Sequence, residues 1–278
     1  MQLSTLEMFL VKALECRKDY REGKSDIESI ALMDEIFENE MEEQINKVRE
    51  AYEKMIYRDV VKYGFHEFST MKDLYLVNVD NKPRIDLIER YIQLQLIFLY
   101  PICPHFCEVA HLDYLLPFAR NYKDHPALMG SCRFPQPKAE INYGSIRAHQ
   151  YILKFLIAAR ESFSKATKPK KGQAPKITKG LLIYRENFQD YQIEILKFLR
   201  SQIKNGEINP KWRDEVKVEN KEDKPKLLKF GGFIEKEYKT AGAEVLDEHL
   251  PFNELKTLTC FTSGIKKEFP VELEVLLL

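Results

Sequence analysis

Residues 35–65 read EIFENEMEEQINKVREAYEKMIYRDVVKYGF, and residues 89–108 read ERYIQLQLIFLYPICPHFCE. Along the first stretch and just before it, Ile30, Phe37, Met41, Ile45, Val48, Tyr52, Met55 and Val60 recur mostly in steps of three or four. That period lays one apolar seam along a helix, the pattern of a bundle and not of a strand. Charge along the seam runs from Glu35, Glu38, Glu40, Glu42 and Glu43 to Lys54, Arg58 and Lys62. This is the sense that complements a helix dipole. A bend or break is predicted near Tyr57 or Gly64, since glycine weakens a helix interior. The second stretch is more apolar. Its helix stops at Pro101 and restarts at Pro104, because proline lacks the amide proton that a helix interior uses.

Upstream, Leu3, Leu6, Phe9, Leu10 and Leu14 predict a helix over residues 3–21. A polar connector follows over 22–29, where Ser25, Asp26 or Ser29 is suited to cap the next helix. Downstream, residues 78–83 form a turn, with Pro83 suited to the first position of a helix reaching Tyr100. Residues 103–116 and 146–163 predict further helices, separated by a Pro-rich irregular stretch over 117–144. Residues 165–179, KATKPKKGQAPKITK, hold six lysines, two prolines, one glycine and no acid, the composition of a flexible linker. Beyond it, residues 180–184 read as a short strand, 191–203 as helix, and 211–226 as charge-dense loop or helix surface. Residues 255–267 read as helix and 271–278 alternate as a strand. The expected fold class is mainly α: a helical bundle over 1–164, a basic linker over 165–179, and a small α+β domain over 180–278.

With 278 residues, 44% of them hydrophobic and 31% charged, the chain can bury one or two ordinary cores. Acids and bases balance at 43 each, so a nucleic-acid partner must be met by a local patch. The five cysteines are odd in number and lack a framework spacing, which fits reduced thiols of a cytoplasmic protein. Charges thread the N-terminal apolar positions, unlike a signal peptide. The longest apolar run, residues 94–103, is too short to span a bilayer, so no membrane partner is expected.

Cys103, Cys107 and His111 share a helix face and suit zinc. The plainer reading packs both thiols as small apolar groups at a helix start, and it is preferred. Cys103 or Cys107 with His105 lacks the third, orienting group of a cysteine hydrolase. The acids over 38–43 read as a solvated face. Neither a catalytic residue nor a metal ligand is assigned. The first binding candidates are Lys165, Lys168, Lys170, Lys171, Lys176 and Lys179, whose ammonium groups suit phosphate neutralisation. A solvated linker is the plain alternative. A second candidate is the basic stripe of Lys54, Arg58 and Lys62, with Lys47 beside it, for which a solvated helix face is the slightly preferred reading. An exposed aromatic ring can stack an unpaired base. At helical and strand spacing most aromatics here read as core, and none is singled out, although Tyr184 and Trp212 border charged loops.

Three pieces carry a family resemblance: AYEKMIYRDVVKYGF at 51–65, RYIQLQLIFLYPICPH at 90–105, and PKKGQAPK at 169–176 leading into LLIY at 181–184. In order and spacing they resemble the C-terminal part of leucyl-tRNA synthetases of the cytosolic eukaryotic and archaeal type. The resemblance implies a class Ia anticodon-binding helical bundle followed by a small α+β C-terminal domain, with tRNA(Leu) as partner. It implies contact with the body and elbow of the tRNA through backbone and shape. The family joins leucine to tRNA using ATP and magnesium. Here there is no HIGH-like or KMSKS-like motif, no inserted editing domain, and no phosphate-cradling cluster among the 11 glycines. No cofactor is therefore expected in this chain, and alone it is expected to be inactive. Its catalytic domain is expected upstream or in trans, and no DNA partner is expected. The alternative is a non-catalytic helical scaffold or assembly module derived from a synthetase.

Overall fold

A computed structural model describes residues 2–277 apart from 138–139, 168–178, 185–187, 205, 217–223, 251 and 269–271. The chain forms two compact units, residues 1–175 with 257–270, and residues 176–256 with 271–278.

The first unit is helical. Its elements are α1 (Gln2–Glu15), α2 (Glu28–Glu53), α3 (Tyr57–Val61), α4 (Phe68–Asn78), α5 (Ile85–Leu99), α6 (Pro104–Ala110), α7 (Leu116–Phe118) and α8 (Tyr143–Thr167). The predicted seam makes α2 the axis, with α4, α5 and α8 packed around it. Ile36, Phe37, Met41, Ile45 and Val48 are all buried along its length. Around this axis Phe37 stacks on Tyr75 at 4.4 Å and Phe68 on Tyr91 at 4.6 Å.

The seam breaks twice. Met55 takes a left-handed φ of 56° and turns the chain out of α2. Residues Lys62–Glu67 then widen into a π-helical turn between α3 and α4. Glycine fits closely there, because a Cβ on Gly64 would lie a tight 3.2 Å from both Phe98 Cβ and Val48 Cγ2. Gln95 Nε2 of α5 donates to the Gly64 carbonyl in this π-turn at 2.5 Å. A fully buried glutamine inside an apolar helix is thereby satisfied at both ends, since its Oε1 accepts from Tyr91 at 2.8 Å.

Several expectations shift. The N-cap of α2 is Ile27, with no side-chain cap; Ser25 Oγ accepts from the Ile27 amide at 3.2 Å instead. Helix α5 starts at Ile85 behind Arg84, so Pro83 precedes the helix. Its carbonyl accepts from the Arg21 amide at 2.9 Å, tying the two connectors together.

The largest correction concerns the acids. Glu40 and Glu42 are only 6% and 1% exposed, so the run over 38–43 is not a solvated face. Glu42 accepts from Arg90 at 2.5 Å, and Glu40 pairs with His149. Asp34, 2% exposed, accepts from Arg21 Nη2 at 2.8 Å and from the Tyr75 hydroxyl at 2.7 Å. A buried carboxylate without such partners would cost several kcal/mol, which explains why each has one.

In the second unit β1 (Lys179–Tyr184) runs parallel to β4 (Glu272–Leu277), with Lys179 opposite Glu272. Between them come α9 (Asp190–Ser201), the hairpin of β2 (Ile203–Lys204) and β3 (Glu207–Ile208), α10 (Trp212–Glu215), α11 (Lys224–Ala241) and α12 (Glu254–Glu268). From Thr257 on, α12 groups with the first unit. The core of the second unit gathers Ile195, Leu196, Leu199, Trp212, Leu227, Ile234 and Leu246. Trp212 is fully buried and so offers no stacking surface, although it borders a charge-dense stretch. Its ring fills the space beside Gly231, where a Cβ would approach to 2.5 Å.

Candidate nucleic-acid interface

The end of α2 builds an exposed corner. Lys54 closes the helix, Met55 turns the chain, and α3 leads away with Tyr57 and Arg58 on its first turn. Tyr57 is 58% exposed and the Arg58 side chain 89%. A shallow concavity lined by Arg58, Asp59, Val61, Lys62 and His66 brings two cations and an imidazole together. So the turn at Met55 gathers Lys54, Arg58 and Lys62 at one end of the bundle.

Each of these cations already has an acid. Lys54 pairs with Glu50 one turn earlier, and this carboxylate holds the ammonium above its ordinary pKa. Arg58 Nε lies 3.2 Å from Asp59, and Lys62 Nζ lies 3.7 Å from Glu67 and 4.7 Å from the Tyr63 ring centre. Lys47 pairs with Glu43 at 3.1 Å. Any phosphate at this corner competes with carboxylates in place.

Of the lysine block, Lys165 lies in the last turn of α8, 3.7 Å from Glu161, and Lys179 opens β1. The ends of the block are therefore helix and strand, not linker. Lys168, Lys170, Lys171 and Lys176 lie outside the described residues.

Around the second proline break, Cys103 and Cys107 face each other with sulfurs 3.9 Å apart. Burial pushes both thiols above their ordinary pKa. His111 Nε2 instead meets the Pro126 carbonyl at 2.8 Å, so the imidazole holds the irregular stretch. Glu108 does the same, accepting from the amides of Met129 and Gly130, each at 2.9 Å. Against the cost of desolvation, these amides keep its carboxyl below the usual range. Among the described residues no group of three His, Cys, Asp or Glu is arranged to hold a metal ion.

Sequence reasoning missed the buried partners of α2. Asp34 did carry a signal, since it shares the face of Phe37, Met41 and Ile45 at helical spacing.

The class is thus a helical bundle carrying an exposed cationic corner. The chain belongs to the family described as the anticodon-binding domain of tRNA ligase, which matches residues 34–219. It is similar to leucine–tRNA ligase, cytoplasmic, of Saccharomyces cerevisiae, 26% identical over 237 residues, covering 83% of this chain and 21% of that protein. The Dictyostelium discoideum protein of the same name is 25% identical over 272 residues, covering 93% of this chain and 24% of its own length. The Pongo abelii one is 27% identical, covering 81% and 19%. The chain therefore spans about a fifth to a quarter of the length of these curated relatives. Among the described residues no helix is long and apolar enough to cross a membrane.

Proposed function

We propose that this chain is the tRNA-holding C-terminal part of a cytoplasmic leucine–tRNA ligase, with tRNA(Leu) as its partner. The observation that carries the reading is the family match over 34–219, which takes in the exposed corner of Lys54, Arg58 and Lys62. These cations, with Lys165, Lys168, Lys170, Lys171, Lys176 and Lys179, meet phosphates and set orientation without reading bases. ATP and magnesium belong, on this reading, to the whole ligase, as does the joining of leucine to tRNA. This chain's share is to hold the tRNA while a catalytic domain, encoded upstream or supplied in trans, acts on the acceptor end.

A filter-binding titration of the full chain with a tRNA(Leu) transcript tests it. Affinity falling steeply between 50 and 200 mM salt, by about tenfold or more, is the expected result. Absence of binding at 50 mM salt would overturn the reading and leave a scaffold descended from a synthetase. ATP- and leucine-dependent charging by the chain alone would overturn the assignment of chemistry elsewhere.

A further inference from the structure

Helix α2 closes through two backbone bonds, from the Met55 amide to the Tyr52 carbonyl and from the Ile56 amide to the Ala51 carbonyl, each 2.9 Å. This pair of bonds is the Schellman ending, which places a left-handed residue just past the helix cap. Met55 is that residue, with its φ of 56°. Glycine is the usual occupant, because a Cβ crowds the backbone in that conformation. Among the described residues two other side-chain-bearing positions take a positive φ, Asp80 and Asn81, and both are types that tolerate it. Methionine is not such a type.

Packing does not account for the methionine. Met55 is 75% exposed, more than any other large apolar residue among the described residues. Ile56 and Tyr57 follow it and are exposed as well, so three large apolar residues stand open in succession. The Tyr57 ring lies at 80° to that of Tyr52, with centres 6.3 Å apart. Tyr52 is itself anchored, its hydroxyl donating to the Phe98 carbonyl at 2.6 Å. Tyr57 is thus placed against a fixed neighbour while more than half of it stays open to solvent.

A single exposed apolar side chain is ordinary. A backbone held in a costly conformation by a residue that packs on nothing is not, and such positions gather at ligand-binding sites. The charges around this one say what the ligand is. Lys54 precedes the apolar group and Arg58 follows it. An apolar partner would have to strip water from both cations and return no anion. A nucleotide brings both halves, a base for the apolar side chains and a phosphate for the cations.

We infer that Met55 and Tyr57 form a platform for one unpaired base of the tRNA, with the adjoining phosphates at Lys54 and Arg58. The inference rests on the tRNA reading above and narrows it: the corner takes an unstacked loop nucleotide and not a paired stem.

The test uses the full chain with three probes: a tRNA(Leu) transcript, an RNA hairpin with an open loop, and a blunt RNA duplex of equal length. Met55→Gly should act in opposite senses on folding and binding. It should leave the circular-dichroism melt unchanged or raise it by up to about 3 °C, while weakening tRNA and hairpin by about threefold or more. Tyr57→Ala should weaken both by about fivefold or more and leave the duplex unchanged, and Tyr57→Phe, which keeps the ring, should bind as the wild type does. A fall of more than about 2 °C in the Met55→Gly melt would show that packing holds the methionine, and would refute the argument. Equal losses on hairpin and duplex would refute stacking. If the wild type binds tRNA and both Met55→Gly and Tyr57→Ala bind every probe as it does, the platform is refuted, the surface is left to a protein partner, and the tRNA reading stands. A wild type that ignores tRNA at 50 mM salt sinks both.

Discussion

Replacing Asp59 by Asn should tighten tRNA binding, although it alters none of the cations. Asp59 Oδ1 lies 3.2 Å from Arg58 Nε, and Arg58 is the most exposed cation of the corner, at 89%. A phosphate reaching Arg58 must part it from this carboxylate and then lie beside the displaced negative charge. Exposed ion pairs hold by about 0.2–1 kcal/mol. Two unit charges 4 Å apart in water repel by about 1 kcal/mol. Both obstacles vanish with the amide, and salt screening trims their sum. The expected gain is about two- to tenfold in affinity, a tenfold change being about 1.4 kcal/mol.

Asparagine is nearly isosteric and keeps an oxygen that can accept from Arg58, so folding should be undisturbed. The assay is filter binding of a tRNA(Leu) transcript at 50 and 200 mM salt, with thermal melts as control. The gain should be largest at 50 mM and shrink at 200 mM, because exposed charges are screened within about 7 Å there. Equal or weaker binding at 50 mM, with an unchanged melt, would show that Asp59 does not compete for Arg58. The corner would then leave the interface.

Asp34→Ala removes the buried acceptor shared by Arg21 and the Tyr75 hydroxyl. Breaking a buried pair costs about 3–5 kcal/mol, and the lower end applies because Arg21 relaxes into water. The helical circular-dichroism melt should fall by about 6–12 °C, and a fall under about 2 °C contradicts the account. Gly231→Ala drives a methyl into the Trp212 ring, 2.5 Å away, and should cost about 1–3 kcal/mol with a red-shifted tryptophan emission. Wild-type emission and unfolding midpoint would refute that contact. Burial, and then the nearby thiols of Cys103 and Cys107, push the Tyr52 phenol up to about 12, where its hydroxyl donates to the Phe98 carbonyl at 2.6 Å. Because the folded value exceeds the unfolded one, near 10, the stabilisation is whole below pH 10 and is lost as pH rises to about 12. Tyrosinate absorbance that titrates wholly near pH 10 in the folded chain would refute it.

The seam of α2 was legible because its apolar residues repeat at the helical period, and the bend at Gly64 because glycine interrupts it. Met55 gave no such sign, since a left-handed backbone is ordinarily the place of a glycine and Met55 carries an exposed side chain. Whether an acid on a helix faces water or core was illegible for a different reason. Asp34, Glu42 and Glu40 are answered by Arg21, Arg90 and His149, which lie 13, 48 and 109 residues away. Helix α11 hid behind Pro225 and the Gly231–Gly232 pair, which read locally as breakers. Only the bulk of Trp212 explains why one of those glycines belongs in a helix. The corner cations were legible by type, yet the same stretch also held their competitors, with Glu50 four residues before Lys54.

That competition shapes the salt dependence of any contact at the corner. Salt dependence counts the cations released from the RNA when lysines and arginines neutralise its phosphates. At the corner each such contact must also part a cation from a carboxylate: Lys54 from Glu50, Arg58 from Asp59 and Lys62 from Glu67. Salt weakens these exposed pairs as well as the RNA contact, so the two effects partly cancel. A salt slope smaller than the number of cations at the corner is therefore what this arrangement implies. Net charge is silent on the point, because the balance of 43 acids and 43 bases sums paired and unpaired groups alike.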